Sequence, residues 1–217
     1  MTSPQRPSPH RGQPIERKGP APSEAAGAML MIHGRGASAD DILGLADEFE
    51  EFGLHFVAPQ ASDHTWYPHR FLAPIKQNEP YLSSALSVID TILAGLVEEG
   101  VSYERVFLLG FSQGACLSLE YVARNPRRYG GVFGLSGGLI GPEGDLPEHS
   151  GDLAGTPVFL GCSDVDFHIP KTRVQESSEQ FRGMNAEVTE RLYPGMAHTV
   201  AQDEIDIIRR IIAAALG

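Results

Sequence analysis

Cysteine is scarce. Cys116 and Cys162 are the only two among 217 residues, too few for the disulfide-dense frameworks of small secreted domains. They form no CxxC pair and have no metal-ligand spacing around them, so both read as buried apolar thiols. Basic residues are also few: 17 Lys and Arg stand against 28 Asp and Glu, a formal net charge of −11. A general nucleic-acid binder needs a basic surface to neutralise phosphates. This balance argues against nucleic acid as a partner, and also against an anionic membrane surface. No uninterrupted apolar run approaches the roughly 18 residues that span a bilayer, so no stable membrane insertion is expected. Met1 to Pro20 lacks the apolar core of a secretory signal, and a cytoplasmic location is the expectation. HExxH, paired Cys/His zinc spacing, GxxxxGK[ST] and GxGxxG are all missing. Neither a metal nor a cofactor is therefore expected.

What the chain does have is enough length and 41% hydrophobic residues for one domain with a sizeable core. Residues 1–26 are rich in Pro, Ser, Gly and Arg and read as a disordered or loosely attached tail. From Ala28 the pattern changes. Short apolar runs at Ala28–Ile32, His55–Ala58, Arg105–Phe111, Gly131–Leu135 and Pro157–Leu160, with an alternating run at Glu187–Leu192, predict strands. Helical spacing fills the gaps: from Ser38, three residues before Asp41, to Phe52; Tyr81–Glu99 after Pro80; Ala115–Arg124; Pro170–Met184; and Val200–Leu216. Strands alternating with helices, most of them apolar on both faces, predict an α/β domain over residues 27–217 with a mostly parallel central sheet flanked by helices. Residues 60–80 carry Trp66, Tyr67, Phe71 and Leu72 among several prolines and read as a long aromatic loop.

The strongest chemical signal is Gly110-Phe111-Ser112-Gln113-Gly114. It matches the GxSxG nucleophile elbow, a tight strand-to-helix turn that lifts a serine hydroxyl above a sheet. Its context is the required one, an apolar strand before and a helical pattern after. A serine needs a base to become nucleophilic, and in α/β-hydrolase folds the partners follow in the order Ser, Asp or Glu, His. His198 lies on a glycine turn after the last strand. Asp164 and Asp166 both follow the strand ending near Gly161, and spacing alone leaves the choice between them open. His10, His55, His64, His69, His149 and His168 read as surface or loop residues. Attack on an ester also requires oxyanion donors. The N–H after the nucleophile, that of Gln113, is one candidate. The glycine loop His33-Gly34-Arg35-Gly36 offers the N–H of Arg35 as the other. Trp66, Tyr67, Phe71 and Leu72 are expected to line the substrate pocket, since ester sites are mostly apolar.

With these residues in hand, the chain resembles the phospholipase/carboxylesterase family of small α/β-hydrolases, and is similar to acyl-protein thioesterases. The resemblance rests on His33-Gly34-Arg35-Gly36, Ala58-Pro59-Gln60, Trp66-Tyr67, Gly110 to Ala115, Asp166 with Pro170, and Gly195 to His198. It implies an α/β-hydrolase fold without a large cap domain, and carboxylic-ester hydrolysis without cofactor or metal. The family's acid stands four residues before its proline, which favours Asp166 over Asp164. Arg35 stands where the thioesterases have leucine, and the stretch from Gly161 to Pro170 is about two residues longer than theirs. Both features resemble the bacterial carboxylesterase branch. The expected activity is a serine carboxylesterase for small, short-chain esters. The alternatives are a lysophospholipase or acyl thioesterase for long acyl chains, and an inactive hydrolase fold serving as a ligand receptor. The expected partner is a small-molecule ester, and the sequence is compatible with a homodimer without requiring one.

Overall fold

The computed structural model describes residues 8–217. Seven strands form one sheet in the order β1-β3-β2-β4-β5-β6-β7. They are β1 (Ile15–Lys18), β2 (Gly27–Ile32), β3 (Leu54–Pro59), β4 (Val106–Phe111), β5 (Gly131–Leu135), β6 (Pro157–Ser163) and β7 (Glu187–Tyr193). Every neighbouring pair is parallel except β1 with β3. Side chains alternate along a strand, so each central strand feeds two cores. In β2, Ala28, Leu30 and Ile32 join one buried cluster, while Met29 and Met31 join the other. The first cluster is covered by α2 (Tyr81–Glu98), α3 (Gln113–Arg124) and α4 (Lys171–Gly183). The second is covered by α1 (Ala39–Leu43), the 3₁₀ helix that follows it (Gly44–Phe52), and α5 (Gln202–Leu216). This is the three-layer α/β arrangement that the alternation of apolar runs predicts, and among the described residues it has no large cap, as the family resemblance implies.

The helix after Ser38 begins with a reciprocal cap. Ser38 Oγ accepts the Asp41 N–H at 3.2 Å, and the Asp41 carboxylate accepts the Ser38 N–H at 2.8 Å. Beyond Leu43 the helix tightens to 3₁₀ rather than continuing as α. α2 holds 18 residues with a mean hydropathy of 1.4, so by length and composition it could cross a membrane even though polar residues interrupt its apolar run. Its Leu82, Ala85, Ile89, Ile92, Leu93 and Leu96 are spent on the core of this domain.

The N-terminal segment departs from the sequence expectation. Residues before Ser8 lie outside the described residues, but residues 8–26 pack on the domain and are not a loose tail. β1 pairs with β3 from Ile15 opposite Pro59 to Lys18 opposite Phe56. Ahead of it, His10 is 2% exposed, although it reads as a surface residue in the sequence. Its Nε2–H donates to the Trp66 carbonyl at 2.9 Å, and its Nδ1 accepts the Ser62 N–H at 3.1 Å. Burial lowers its affinity for a proton, outweighing the hydrogen bonds that favour the charged form, so the ring is neutral. The composition of this segment is that of a tail because its order comes from partners some fifty residues away rather than from apolar content of its own. His10→Ala should leave two buried backbone groups unsatisfied and cost about 1–3 kcal/mol, measurable as a lower urea midpoint with an unchanged slope.

Candidate active site

The parallel strands all point their carboxyl ends to one side of the sheet, and the loops leaving β2, β4, β6 and β7 meet there, where ligands of open α/β sheets bind. Ser112 is the residue between β4 and α3. Its backbone sits at φ 55°, ψ −117°, a left-handed conformation that costs a non-glycine residue on the order of 1–3 kcal/mol. Two glycines make the turn sterically feasible. A Cβ at Gly110 would overlap the Gly114 carbonyl, and one at Gly114 would overlap the carbonyls of Ile32 and His33. The Ser112 N–H is tied to the Leu135 carbonyl at 2.9 Å, which fixes the turn to the end of β5.

His198 and Asp166 complete a line of hydrogen bonds. The Ser112 hydroxyl lies 2.9 Å from His198 Nε2, and His198 Nδ1–H donates to Asp166 Oδ2 at 2.6 Å. The other Asp166 oxygen accepts the N–H groups of His168 at 2.8 Å and Ile169 at 3.1 Å. Its side chain is closed to solvent while His198 is 26% exposed. Burial works against the Asp166 charge, but the His198 bond and the two N–H groups outweigh it and hold the carboxyl below its ordinary range. Asp164 has a different job. Its Oδ1 accepts the Gly195 N–H at 2.8 Å, tying the loop after β6 to the loop that carries His198. Of the two acids the sequence leaves open, the structure puts Asp166 on the imidazole.

The aromatic loop is held by side chains from elsewhere. The Gln113 side chain accepts the Trp66 N–H at 2.9 Å and donates to the Tyr67 carbonyl at 2.8 Å. Arg35 donates to three successive carbonyls, Tyr67 at 2.8 Å, Pro68 at 3.0 Å and His69 at 2.8 Å. His33 accepts the Ala61 N–H on Nε2 at 3.1 Å and donates from Nδ1 to the Gly34 carbonyl at 2.7 Å. Burial outweighs that last bond and lowers the pKa of His33. These bonds give the Arg35 and Gln113 side chains structural tasks. Their backbone N–H groups are the oxyanion candidates, and both residues border the cavity above Ser112. Gln113 opens α3, so its N–H has no acceptor within the helix.

That cavity measures about 530 Å³, within the range of small-molecule sites. Tyr67 and Phe71 line it as the sequence reading expects, but Trp66 and Leu72 do not. Trp66 is wholly buried, its Nε1–H donating to the His33 carbonyl at 2.9 Å. Its ring lies 5.0 Å from the His33 ring and 5.3 Å from that of His10. Leu72 packs against the α2–α3 core. Burial in this loop follows no sequence period, with Trp66 and Tyr67 buried in succession and Pro68, His69 and Arg70 exposed in succession, so periodicity cannot tell which of its aromatics face the cavity. Pro68, His69, Arg70, Cys116, His168 and Ile169 also line the cavity, and the sequence reading missed all six. Among the described residues, no three His, Cys, Asp or Glu side chains converge to hold a metal ion.

A tight strand–serine–helix turn, a histidine on the last loop and an acid after β6 define the α/β-hydrolase class. Within it, the pattern describing the Phospholipase/Carboxylesterase family matches residues 19–216, and the chain belongs to that family. A solved structure, a phospholipase/carboxylesterase from Dyadobacter fermentans, is 41% identical with a TM-score of 0.89, covering 93% of this chain and 97% of that one. Acyl-protein thioesterase 1 of Kluyveromyces lactis is 31% identical over 138 residues, or 62% of this chain and 60% of the relative. The chain thus spans about 60% of the length of the first curated relatives it matches. Acyl-protein thioesterase 2 of Zea mays, at 14% identity and a TM-score of 0.72, shares the fold.

Two outcomes follow. Trp66→Ala should cost about 3–5 kcal/mol, because it empties a filled site instead of reshaping the cavity; a thermal midpoint close to wild type would refute this. Glu204 in the first turn of α5 is fully buried, with Oε2 on the Ala201 N–H at 2.7 Å and no partner for Oε1. Burial pushes its carboxyl up to about 7. A raised folded value means stability is fully present below the unfolded value of 4.5 and lost as pH rises to about 7. At one pK unit per 1.36 kcal/mol, Glu204→Gln should gain on wild type by up to about 3 kcal/mol between pH 5 and pH 8, read from urea midpoints.

Proposed function

We propose that the chain is a serine carboxylesterase that hydrolyses small, short-chain carboxylic esters through an acyl-enzyme on Ser112. The observation that carries this reading is the unbroken line from Asp166 through His198 to Ser112, opening on the cavity. With Nδ1–H committed to Asp166, the neutral imidazole presents Nε2 as an acceptor. The Ser112 hydroxyl proton passes to Nε2 as Oγ attacks the ester carbonyl. The imidazolium is stabilised by the Asp166 carboxylate, which stays ionised. Charge developing on the carbonyl oxygen is taken by the N–H groups of Gln113 and Arg35, the first also at the positive end of α3. Nε2–H then protonates the departing alcohol, and water repeats the sequence to release the acid. These steps use the chain's own groups, and the reading places them in the cytoplasm.

One observation favours a second reading. The curated relatives are acyl-protein thioesterases, which points to thioesters of longer acyl chains. An acyl-chain panel of activated esters and thioesters separates the two, with a maximum at short acyl groups supporting the first. A fluorophosphonate probe addresses the non-enzyme alternative, since an inactive receptor should not be labelled.

Ser112→Ala should lower ester turnover by roughly 10⁴ or more with a native circular-dichroism spectrum. Asp166→Asn should lower kcat by roughly 10²–10⁴, because an amide can hold the wrong imidazole tautomer. Asp164→Asn, which loosens only the Gly195 contact, should cost on the order of tenfold. If Asp164→Asn proved the more damaging of the two, the assignment of Asp166 would fall.

A further inference from the structure

The charge of the cavity runs opposite to that of the protein. The chain carries a formal net charge of −11 with histidine counted neutral, yet on the same count the cavity wall carries only positive charge, from Arg35 and Arg70, and contains not one Asp or Glu. Asp166 stands behind His198, and both its oxygens are taken by donors. A concave site with one sign of charge and low-dielectric walls concentrates the field for ligands of the other sign.

The two arginines are not equivalent. Arg35 spends its guanidinium on three backbone carbonyls. Buried Arg173 is committed in the same way, to the carbonyls of Leu139, Gly141 and Pro142. Arg70 is exposed and, among the described residues, makes neither a salt bridge nor a side-chain hydrogen bond. Its backbone, by contrast, is braced. Asn78 is fully buried; its Oδ1 accepts the His69 N–H at 2.9 Å and its Nδ2–H donates to the Arg70 carbonyl at 3.2 Å. The Ala73 N–H reaches the same carbonyl at 3.0 Å. Next along the chain, Phe71 is 5% exposed and lines the cavity. A rigid support therefore carries an uncommitted guanidinium at the rim of the cavity that holds Ser112. A planar guanidinium pairs with a carboxylate through two parallel N–H···O bonds.

We propose that this cavity selects esters carrying a carboxylate in addition to the ester group, and that Arg70 is the specificity residue that recognises it. The inference rests on the hydrolase reading above and adds the substrate class to it. The carboxylate can belong to the acyl part, as in a half-ester of a dicarboxylic acid, or to the alcohol part, as in an acylated hydroxy acid. Both present the same group to Arg70.

The test compares each acid with its neutral amide. Monoethyl succinate against ethyl succinamate probes the acyl side, and acetoxyacetate against acetoxyacetamide probes the alcohol side. The readout is the ratio of kcat/KM for acid over amide, at low and high ionic strength, for wild type, Arg70→Gln and Arg70→Lys. In at least one pair wild type should favour the acid by about tenfold, the scale of a charge-assisted hydrogen bond. The ratio should shrink with added salt, fall to near one in Arg70→Gln, and be partly kept in Arg70→Lys. Equal turnover of acid and amide in both pairs overturns the proposal, and so does a preference that survives in Arg70→Gln. Hydrolysis of the amides without acid preference sinks this inference but leaves the esterase reading standing. If wild type turns over none of the four compounds nor a simple neutral ester, the hydrolase reading fails and takes this one with it.

Discussion

The close approach of α3 to the end of β2 is the constraint on which the site depends. Gly114 lies against the carbonyls of Ile32 and His33, and only a residue without Cβ permits that contact. Two residues earlier, Ser112 holds its left-handed conformation in the same tight turn. The free energy stored there is offset by the pairing of β4 with β2 on one side and β5 on the other, and by the Ser112 to Leu135 bond. Once the turn is set, the positions of His198 and Asp166 are matters of loop length after β7 and β6. The contact of Asp164 with Gly195 joins those two loops.

A second layer surrounds that turn. From Ala61 to Arg70 the backbone has little regular structure, yet its polar groups are matched by His10, His33, Arg35, Asn78 and Gln113. Two of these are histidines buried in the neutral form, each accepting an N–H on one ring nitrogen and donating to a carbonyl from the other. Because burial depresses their folded values below the ordinary 6.5, their contribution is present above that value and lost as pH falls through the folded ones. Glu204 pulls in the opposite direction, so the loop and the base of α5 contribute to the pH dependence of stability with opposite signs.

The sequence was most informative where a feature is local. Apolar runs located β2 to β6 to within a few residues, and the glycine spacing around Ser112 named the turn. The order Ser, Asp, His narrowed the acid to Asp164 or Asp166, and the family resemblance, through the proline at 170, favoured Asp166, the acid the structure places on His198. Long-range matches were unreadable. Nothing in residues 8–14 announces that His10 meets Ser62 and Trp66, so the segment passed for a tail. Trp66 drew attention as an aromatic in a loop, but its burial in the core, between the rings of His10 and His33, is a match of residues distant in sequence. Arg35 was read for its N–H, with its side chain taken to face solvent, and Arg70 was not singled out, since an uncommitted arginine is visible only once the committed ones are known.

The region that matches the family begins at residue 19, whereas the ring that braces the cavity loop comes from residue 10. The braced unit therefore begins ahead of the family match. A chimera joining a relative's leader to this chain at the boundary of the match would exchange the brace while leaving every residue of the site untouched. Its substrate profile could drift with no change in any residue that meets substrate. Substitution in the stretch ahead of the family match would then be a route to a changed substrate profile.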